Sequence, residues 1–288
     1  MMKDKEAKLG MSAKRKISNF FIYLILVFMS VVWLVPFFCI VFQSFRVENT
    51  HQVGYVFPLQ WGLDNYRFLI ESDFKRWYLN TFIIALVVCV LQTIIVLCMS
   101  YTLSRFRFKM RKFLMQFMLV LGLFPGILGI VILYRVLADL GLTQSNAVYG
   151  LILVYCASSG MGYYISKGFF DTIPMSLDEA ARIDGATRLQ VFIQMILPLS
   201  KPIVIYTILT AFLGPWGDFV FAKFVAFNDP AGMNTAVGLN TWLNADQIGD
   251  YYTRFCAGGV VVAIPVTILF LFLQKYYVEG VTGGAVKG

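Results

Sequence analysis

Trp77–Ser104 reads WYLNTFIIALVVCVLQTIIVLCMSYTLS, a run with no Asp, Glu, Lys, Arg or His. An α-helix rises about 1.5 Å per residue, so about 20 apolar residues cross the roughly 30 Å hydrocarbon layer of a membrane. This stretch exceeds that length. Working outward from it, Ile17–Phe45, Phe113–Tyr134, Leu140–Ser166 and Phe255–Gln274 are equally free of charge. A further stretch, 202–225, is apolar but is interrupted by Gly214, Pro215, Gly217, Asp218 and Lys223, and reads as a broken span. The fold class that follows is an all-α integral membrane protein with six transmembrane helices, at about 18–43, 78–103, 113–135, 146–166, 202–225 and 255–275.

Composition agrees, because 59% of the 288 residues are hydrophobic and only 14% are charged, with a mean hydropathy of +0.72. A soluble domain could not present that surface to water. The net charge of +8 does not point to nucleic acid, since the cations fall between apolar spans and form no basic groove interleaved with aromatics. Cys39, Cys89, Cys98, Cys156 and Cys256 are odd in number, lie in apolar stretches and contain no close pair, so neither disulfides nor a metal site is expected. The only histidine, His51, stands in a loop without clustered acids and reads as solvated. Although Ile17–Phe45 follows a basic start, it is longer than the roughly 7–15 residues of a signal-peptide core and reads as a retained span.

Orientation follows from Lys and Arg, which are retained near span ends on the cytoplasmic side. With both termini on one side, 17 of the 24 cations share that side, including Lys3, Lys14, Arg105, Lys109, Arg111, Lys167, Arg188 and Lys275. The other side holds Arg46, Arg67, Lys75, Arg76, Arg135, Lys223 and Arg254. Residues 1–16 and 276–288 are therefore expected to be cytoplasmic tails on one multi-pass domain, 1–288.

The inner loop 167–201 carries structure of its own. Two capping-box patterns, Ser176–Glu179 and Thr187–Gln190, each announce a short helix. Gly185 between them suits a left-handed helix end, and Pro198 and Pro202 are expected to stop the second helix. On helical spacing, Leu177, Ala180, Ala181 and Asp184 fall on one side of the first helix, and Leu189, Phe192, Ile193 and Ile196 form an apolar stripe on the second. Its four cations balance Asp171, Asp178, Glu179 and Asp184. Such a neutral, part-apolar pair of helices is either a docking surface for another protein or an interfacial hairpin with no partner.

The ordered string Glu179-Ala180-Ala181-Arg182-Ile183-Asp184-Gly185-Ala186, followed by Ile193 to Pro198 ending in Ile196-Leu197-Pro198, resembles the signature of binding-protein-dependent ABC importer permeases. Gly168–Pro174 and Pro198–Pro202 resemble the carbohydrate-uptake branch, Val278–Gly288 the tail of the smaller maltose-type permease, and Gly214–Phe219 with Thr235–Leu239 the matching parts of maltodextrin and galactan-oligosaccharide permeases. The resemblance covers roughly 168–288. It implies a bacterial cell-membrane complex for sugars with a second homologous permease, two cytoplasmic ATPases that bind ATP and Mg, and an external sugar-binding protein. It also implies that Glu179, Ala180, Ala181, Asp184, Gly185, Ile196, Leu197 and Pro198 form the coupling loop to the ATPase.

No G-x-x-x-x-G-K-[ST] loop is present, so the sequence offers no phosphate cradle of its own. The rival class, an ion-coupled secondary transporter, would need carboxylates or histidine within the spans, and the five clean spans have none. Gly214, Pro215, Trp216 and Asp218 are candidates for the pathway or gate, although Asp218 equally suits a membrane boundary. Trp242, Tyr251 and Tyr252 are candidates for receptor contact. No catalytic residue is expected.

The cation split predicts that residue 109 faces the cytoplasm and residue 240 the exterior. In a chain whose native cysteines are replaced, Asn240→Cys should react with an impermeant thiol reagent on intact cells and Lys109→Cys should react only after permeabilisation. Labelling at 109 in intact cells would overturn the orientation.

Overall fold

The computed structural model describes residues 2–48, 56–123, 126–158, 160–244 and 248–285. His51, expected as a solvated loop residue, lies outside the described residues, as do the last three residues of the tail. The described chain is helical, with one isolated antiparallel bridge between Arg46 and Trp61. In order, the helices are α1 (Met2–Ser44), α2 (Asp64–Glu71), α3 (Phe74–Arg105), α4 (Arg111–Leu123), α5 (Gly126–Asp139), α6 (Ala147–Ala157), α7 (Gly160–Asp171) and α8 (Met175–Ile183). They continue with α9 (Arg188–Leu199), α10 (Lys201–Gly217), α11 (Val220–Ala226), α12 (Thr235–Thr241) and α13 (Ile248–Ala285).

Among the described residues, four stretches are long and apolar enough to cross a membrane, namely Ser18–Ser44, Phe74–Arg105, Gln144–Asp171 and Ile248–Lys275. The pair α9 and α10, bent by 85° between Leu199 and Lys201, makes a fifth candidate. The expected span at 113–135 falls instead on two shorter helices, α4 and α5, of 13 and 14 residues. Residues 124 and 125, between them, lie outside the described residues. The broken span at 202–225 is seen as α10 and α11 with Asp218 extended between them.

α3 is the hub. It packs along α10, α7, α6 and α12, whereas α1 lies along α13 and presents its apolar face outward. Trp33 is 71% and Phe28 65% exposed, an arrangement that suits hydrocarbon contact and not water. At one end of α3, Trp77, Phe74, Phe68, Tyr251 and Trp242 form an aromatic cluster, with Trp77 and Trp242 centroids 5.5 Å apart. Gly238 of α12 makes this approach possible, because a Cβ there would stand 2.1 Å from the Trp77 ring.

Polar side chains secure the same end. Asn80 Nδ2 donates to the Ala231 and Met233 carbonyls at 2.9 Å, and the Thr81 and Thr235 hydroxyls are 2.6 Å apart. Asn234 caps α12 by accepting from Val237 N–H at 2.9 Å. Asn65 Nδ2 donates to the Ser44 and Arg46 carbonyls, and Asn65 Oδ1 accepts from Thr253, tying α1, α2 and α13 together. Backbone groups that would be costly to bury unpaired are thereby satisfied.

Candidate functional site, the docked two-helix loop

At the opposite end of α3, residues 167–201 fold against it. α7 ends at Asp171, whose Oδ1 accepts from Ser104 Oγ at 2.6 Å and whose Oδ2 pairs with Lys167.

α8 begins at Met175 with Pro174 as its cap, and no side chain caps it. The box expected at Ser176–Glu179 is therefore absent. Pro174 has no N–H to satisfy and its φ is already −57°, so the helix starts at Met175, ahead of the Leu177 start that a Ser176 cap requires. The far end follows the expectation. Gly185 has φ +89°, its N–H donates to Arg182 O at 3.2 Å, and the Ala186 N–H donates to Ala181 O at 2.9 Å. Those two bonds are a Schellman ending, which satisfies carbonyls that the helix leaves open. A Cβ at Gly185 would meet nothing within 4 Å, so the conformation is what excludes other residues there, not lack of space.

α9 opens with the expected box. Thr187 N–H donates to Gln190 Oε1 at 2.8 Å and Gln190 N–H donates to Thr187 Oγ1 at 3.3 Å. Val191–Ile196 then winds as a π-helix. The wider i→i+5 turn places Val191 and Ile196 on one buried face, 2% and 0% exposed. Leu189 and Ile193, expected in the apolar stripe, are left 65% and 52% exposed, because that stripe assumed 3.6 residues per turn. Pro198 does not stop the helix, which runs through it to Leu199. The widened turn upstream relieves the clash a proline ring makes with the carbonyl four residues back. The stop comes at Ser200, fully buried, whose N–H is shared by the Ile196 and Leu197 carbonyls at 3.0 and 3.1 Å. Pro202 then starts α10.

The attachment to α3 centres on Arg105, its last residue. Arg105 Nε lies 3.0 Å from Asp178 Oδ2, close enough for charge attraction but not aligned as a hydrogen bond. Arg105 Nη2 donates to the Ile173 carbonyl at 3.0 Å, and Nη1 reaches Met175 Sδ at 3.0 Å. Asp178 is buried, which pushes its carboxyl above the usual range; Arg105 offsets this in part and neighbouring Glu179 adds to it. Around this pair Tyr101 stacks on Phe192 at 4.5 Å and meets Phe170 and Phe106 edge-on, and the Arg188 guanidinium lies 4.7 Å over the Phe106 ring. A pocket of about 420 Å³ opens here between Tyr101, Arg105, Asp178, Glu179, Arg182 and Arg188.

Among the expected coupling residues, Ala181 and Ile196 are buried against α3, Leu197 is half-buried, and Glu179, Ala180, Asp184, Gly185 and Pro198 face outward. Ile183 beside them is 85% exposed. The candidates on the fifth span are elsewhere and form a corner. Asp218 accepts from Tyr155 O–H and from Phe221 N–H at the start of α11, and its carbonyl accepts from Asn234 at 2.7 Å. Pro215 and Trp216 are buried, the latter packed against Tyr78, while Gly214 is open. Trp242 is 6% exposed inside the aromatic cluster, so its ring is not at the surface, whereas Tyr252 is 40% exposed and Tyr251 half-buried. Arg105 entered the sequence reading only as an orientation charge, and nothing in its neighbourhood sets it apart from Arg107, Lys109, Arg111 and Lys112.

The family described as binding-protein-dependent transport system inner membrane component matches residues 94–282. The chain is 36% identical over 279 residues to the maltodextrin transport system permease protein MdxG of Bacillus subtilis, covering 96% of this chain and 99% of that one. It is also 36% identical over 283 residues to the galactooligosaccharides transport system permease protein GanQ of the same organism, covering 96% and 99%. Its fold is similar to the crystal structure of a bacterial ABC transporter involved in the import of the acidic polysaccharide alginate, with a TM-score of 0.76, 22% identity, and coverage of 91% of this chain and 97% of that one.

If Arg105 holds the loop, its loss leaves Asp178 buried without a partner, a change that costs roughly 3–5 kcal/mol in comparable sites. Arg105→Leu should make the purified chain cleave faster with trypsin at Arg182 and Arg188, and adding Asp178→Leu should restore much of the protection. Equal cleavage of all three proteins would show that the pair does not hold the loop.

Proposed function

The chain belongs to the binding-protein-dependent transport system inner membrane component family, and from that premise we propose that it is the membrane-spanning permease subunit of an ATP-driven sugar importer. Its cargo is an oligosaccharide of the malto- or galacto- type, as the names of the relatives suggest. In this reading the chain sits in the bacterial cell membrane with six spans and both termini cytoplasmic, and it forms half of the translocation pathway beside a second homologous permease. Two cytoplasmic ATPase subunits hold ATP and Mg, and an external sugar-binding protein delivers the cargo.

The observation that carries the coupling role is the docked loop. A short helix that is capped at Gly185, anchored by Arg105 and presents Glu179, Ala180, Ile183 and Asp184 outward can pass a rigid-body rotation into α3, where a floppy connector would absorb it. Small Ala180 allows close approach of a partner surface, and Glu179 and Asp184 offer acceptors.

Substitution separates coupling from assembly. Any Cβ at a left-handed position costs on the order of 1 kcal/mol, so Gly185→Asp re-aims the end of α8, and Glu179→Lys reverses an outward charge. Both variants should insert and pair with the second permease, yet lose ATPase co-purification or split receptor-stimulated ATP hydrolysis from uptake of labelled oligosaccharide. Normal values for all three measurements would remove the loop from coupling, and ion-driven transport by the isolated chain would overturn the importer reading itself.

A further inference from the structure

Arg107, Lys109, Arg111 and Lys112 line one pocket of about 530 Å³, in company with Tyr164 of α7. No Asp or Glu lines it, and none of the four cations is in an ion pair among the described residues. The adjoining pocket at Arg105 is different, because Asp178 and Glu179 there offset part of the positive charge. Topology alone accounts for cations at a span end, but it does not bring four of them onto one cavity. Like charges so gathered repel one another, and an anion relieves the repulsion.

The position of the pocket says which anion. α3 ends at Arg105 and α4 begins at Arg111, so the link between them is residues 106–110. An extended chain covers at most about 3.3–3.6 Å per residue, and a link this short, fixed at both ends, keeps its cations beside the plane where two apolar helices leave the hydrocarbon. Lipid phosphates lie in that plane. α4 then carries the pocket wall into the membrane. Met115 and Gln116 line the pocket, and Leu119 and Val120, one helical turn further on the same face, are apolar and exposed. Another side of α4, with Leu114 and Met118 half-buried, packs on α7. A cationic mouth that continues into an apolar strip matches an amphiphile better than free phosphate, which gains nothing from Leu119 and Val120. Guanidinium groups present paired donors to phosphate oxygens, and basic pockets between membrane helices on the cytoplasmic side take anionic headgroups. The volume falls within the roughly 300–1,000 Å³ of complete ligand sites.

We infer that this pocket holds the phosphate headgroup of an anionic phospholipid, with Arg107, Lys109, Arg111 and Lys112 around the phosphate and an acyl chain along Leu119 and Val120. Held there, the headgroup joins the α3–α4 link to α7, the helix that runs into the docked loop. The inference rests on the membrane embedding of α3 and α4 and not on the cargo.

The test uses the assembled transporter in nanodiscs, with the native cysteines replaced and a fluorophore on Leu119→Cys. Quenching by doxyl-labelled phosphatidylglycerol, set against doxyl-labelled phosphatidylcholine, reads the preference of the site for a negative headgroup. Phosphatidylglycerol should be preferred about tenfold or more, and Arg111→Gln with Lys112→Gln should bring the two lipids to within about twofold of each other, since each cation lost from such a contact weakens it about fivefold. Lys75→Gln with Arg76→Gln, which removes exposed cations at the other end of α3, should leave the preference intact, and so should millimolar inorganic phosphate. Equal quenching by both lipids in the unmodified complex, a preference kept without Arg111 and Lys112, or a preference lost without Lys75 and Arg76 would overturn the inference. Displacement by phosphate would overturn it in favour of a free-anion site, and no quenching by either lipid would overturn it in favour of the second permease covering this face. Each of these results leaves the importer reading standing.

Discussion

Arg105 is the last residue of a membrane-length helix, and its side chain is almost entirely buried against the loop it holds, whose Ile173 and Met175 lie 68 and 70 residues further along the chain. One planar group reaches the Asp178 carboxylate, the Ile173 carbonyl and the Met175 sulfur, so it joins the end of α7, the start of α8 and the end of α3 at a single point. A lysine could supply the charge but not three separate directions. The apolar cluster of Tyr101, Phe170, Ala181, Val191, Phe192 and Ile196 closes around that point. Without it, two short helices that are each marginal in isolation would have only that apolar surface to hold them in register.

The rest of the molecule follows the same logic of satisfying polar groups internally while leaving apolar surface outside. At the other end of α3, Asn80, Thr81, Asn234 and Thr235 tie the α12 segment down over Trp77. Between the two ends, Ser100 Oγ donates to the Tyr163 carbonyl at 3.1 Å and Gln92 Nε2 to the Tyr155 carbonyl at 3.0 Å, tying α3 to α7 and α6. The exposed flank of α1 has neither polar anchors nor core contacts.

The sequence was legible wherever the deciding interaction was local. Uncharged runs marked the long helices, and the Thr187–Gln190 box and Gly185 were readable because each involves residues a few positions apart. Ser176 misled because Pro174 had already fixed the start of α8. The π-turn at Val191–Ile196 was hidden because a stripe at 3.6 spacing and one at five both fit an apolar-rich segment. Trp216 read as a pathway or gate candidate and Trp242 as a receptor contact, since nothing in their neighbourhoods announces that α3 will cover them. Arg105 and Asp178 could not be paired from sequence, and neither could Gln92 and the Tyr155 carbonyl, because each depends on how separate helices pack.

With Arg105 in place, the loop and α3 should move as one body. Spin labels at native Cys98 on α3, which is exposed, and at Ile193→Cys on α9, with the other cysteines replaced, report their separation directly in the assembled complex. One narrow distance is expected, the same without nucleotide and with ATP trapped, with a broadened distribution after Arg105→Leu. A shift of about 5 Å or more, a full helical turn, on ATP binding with Arg105 intact would contradict it.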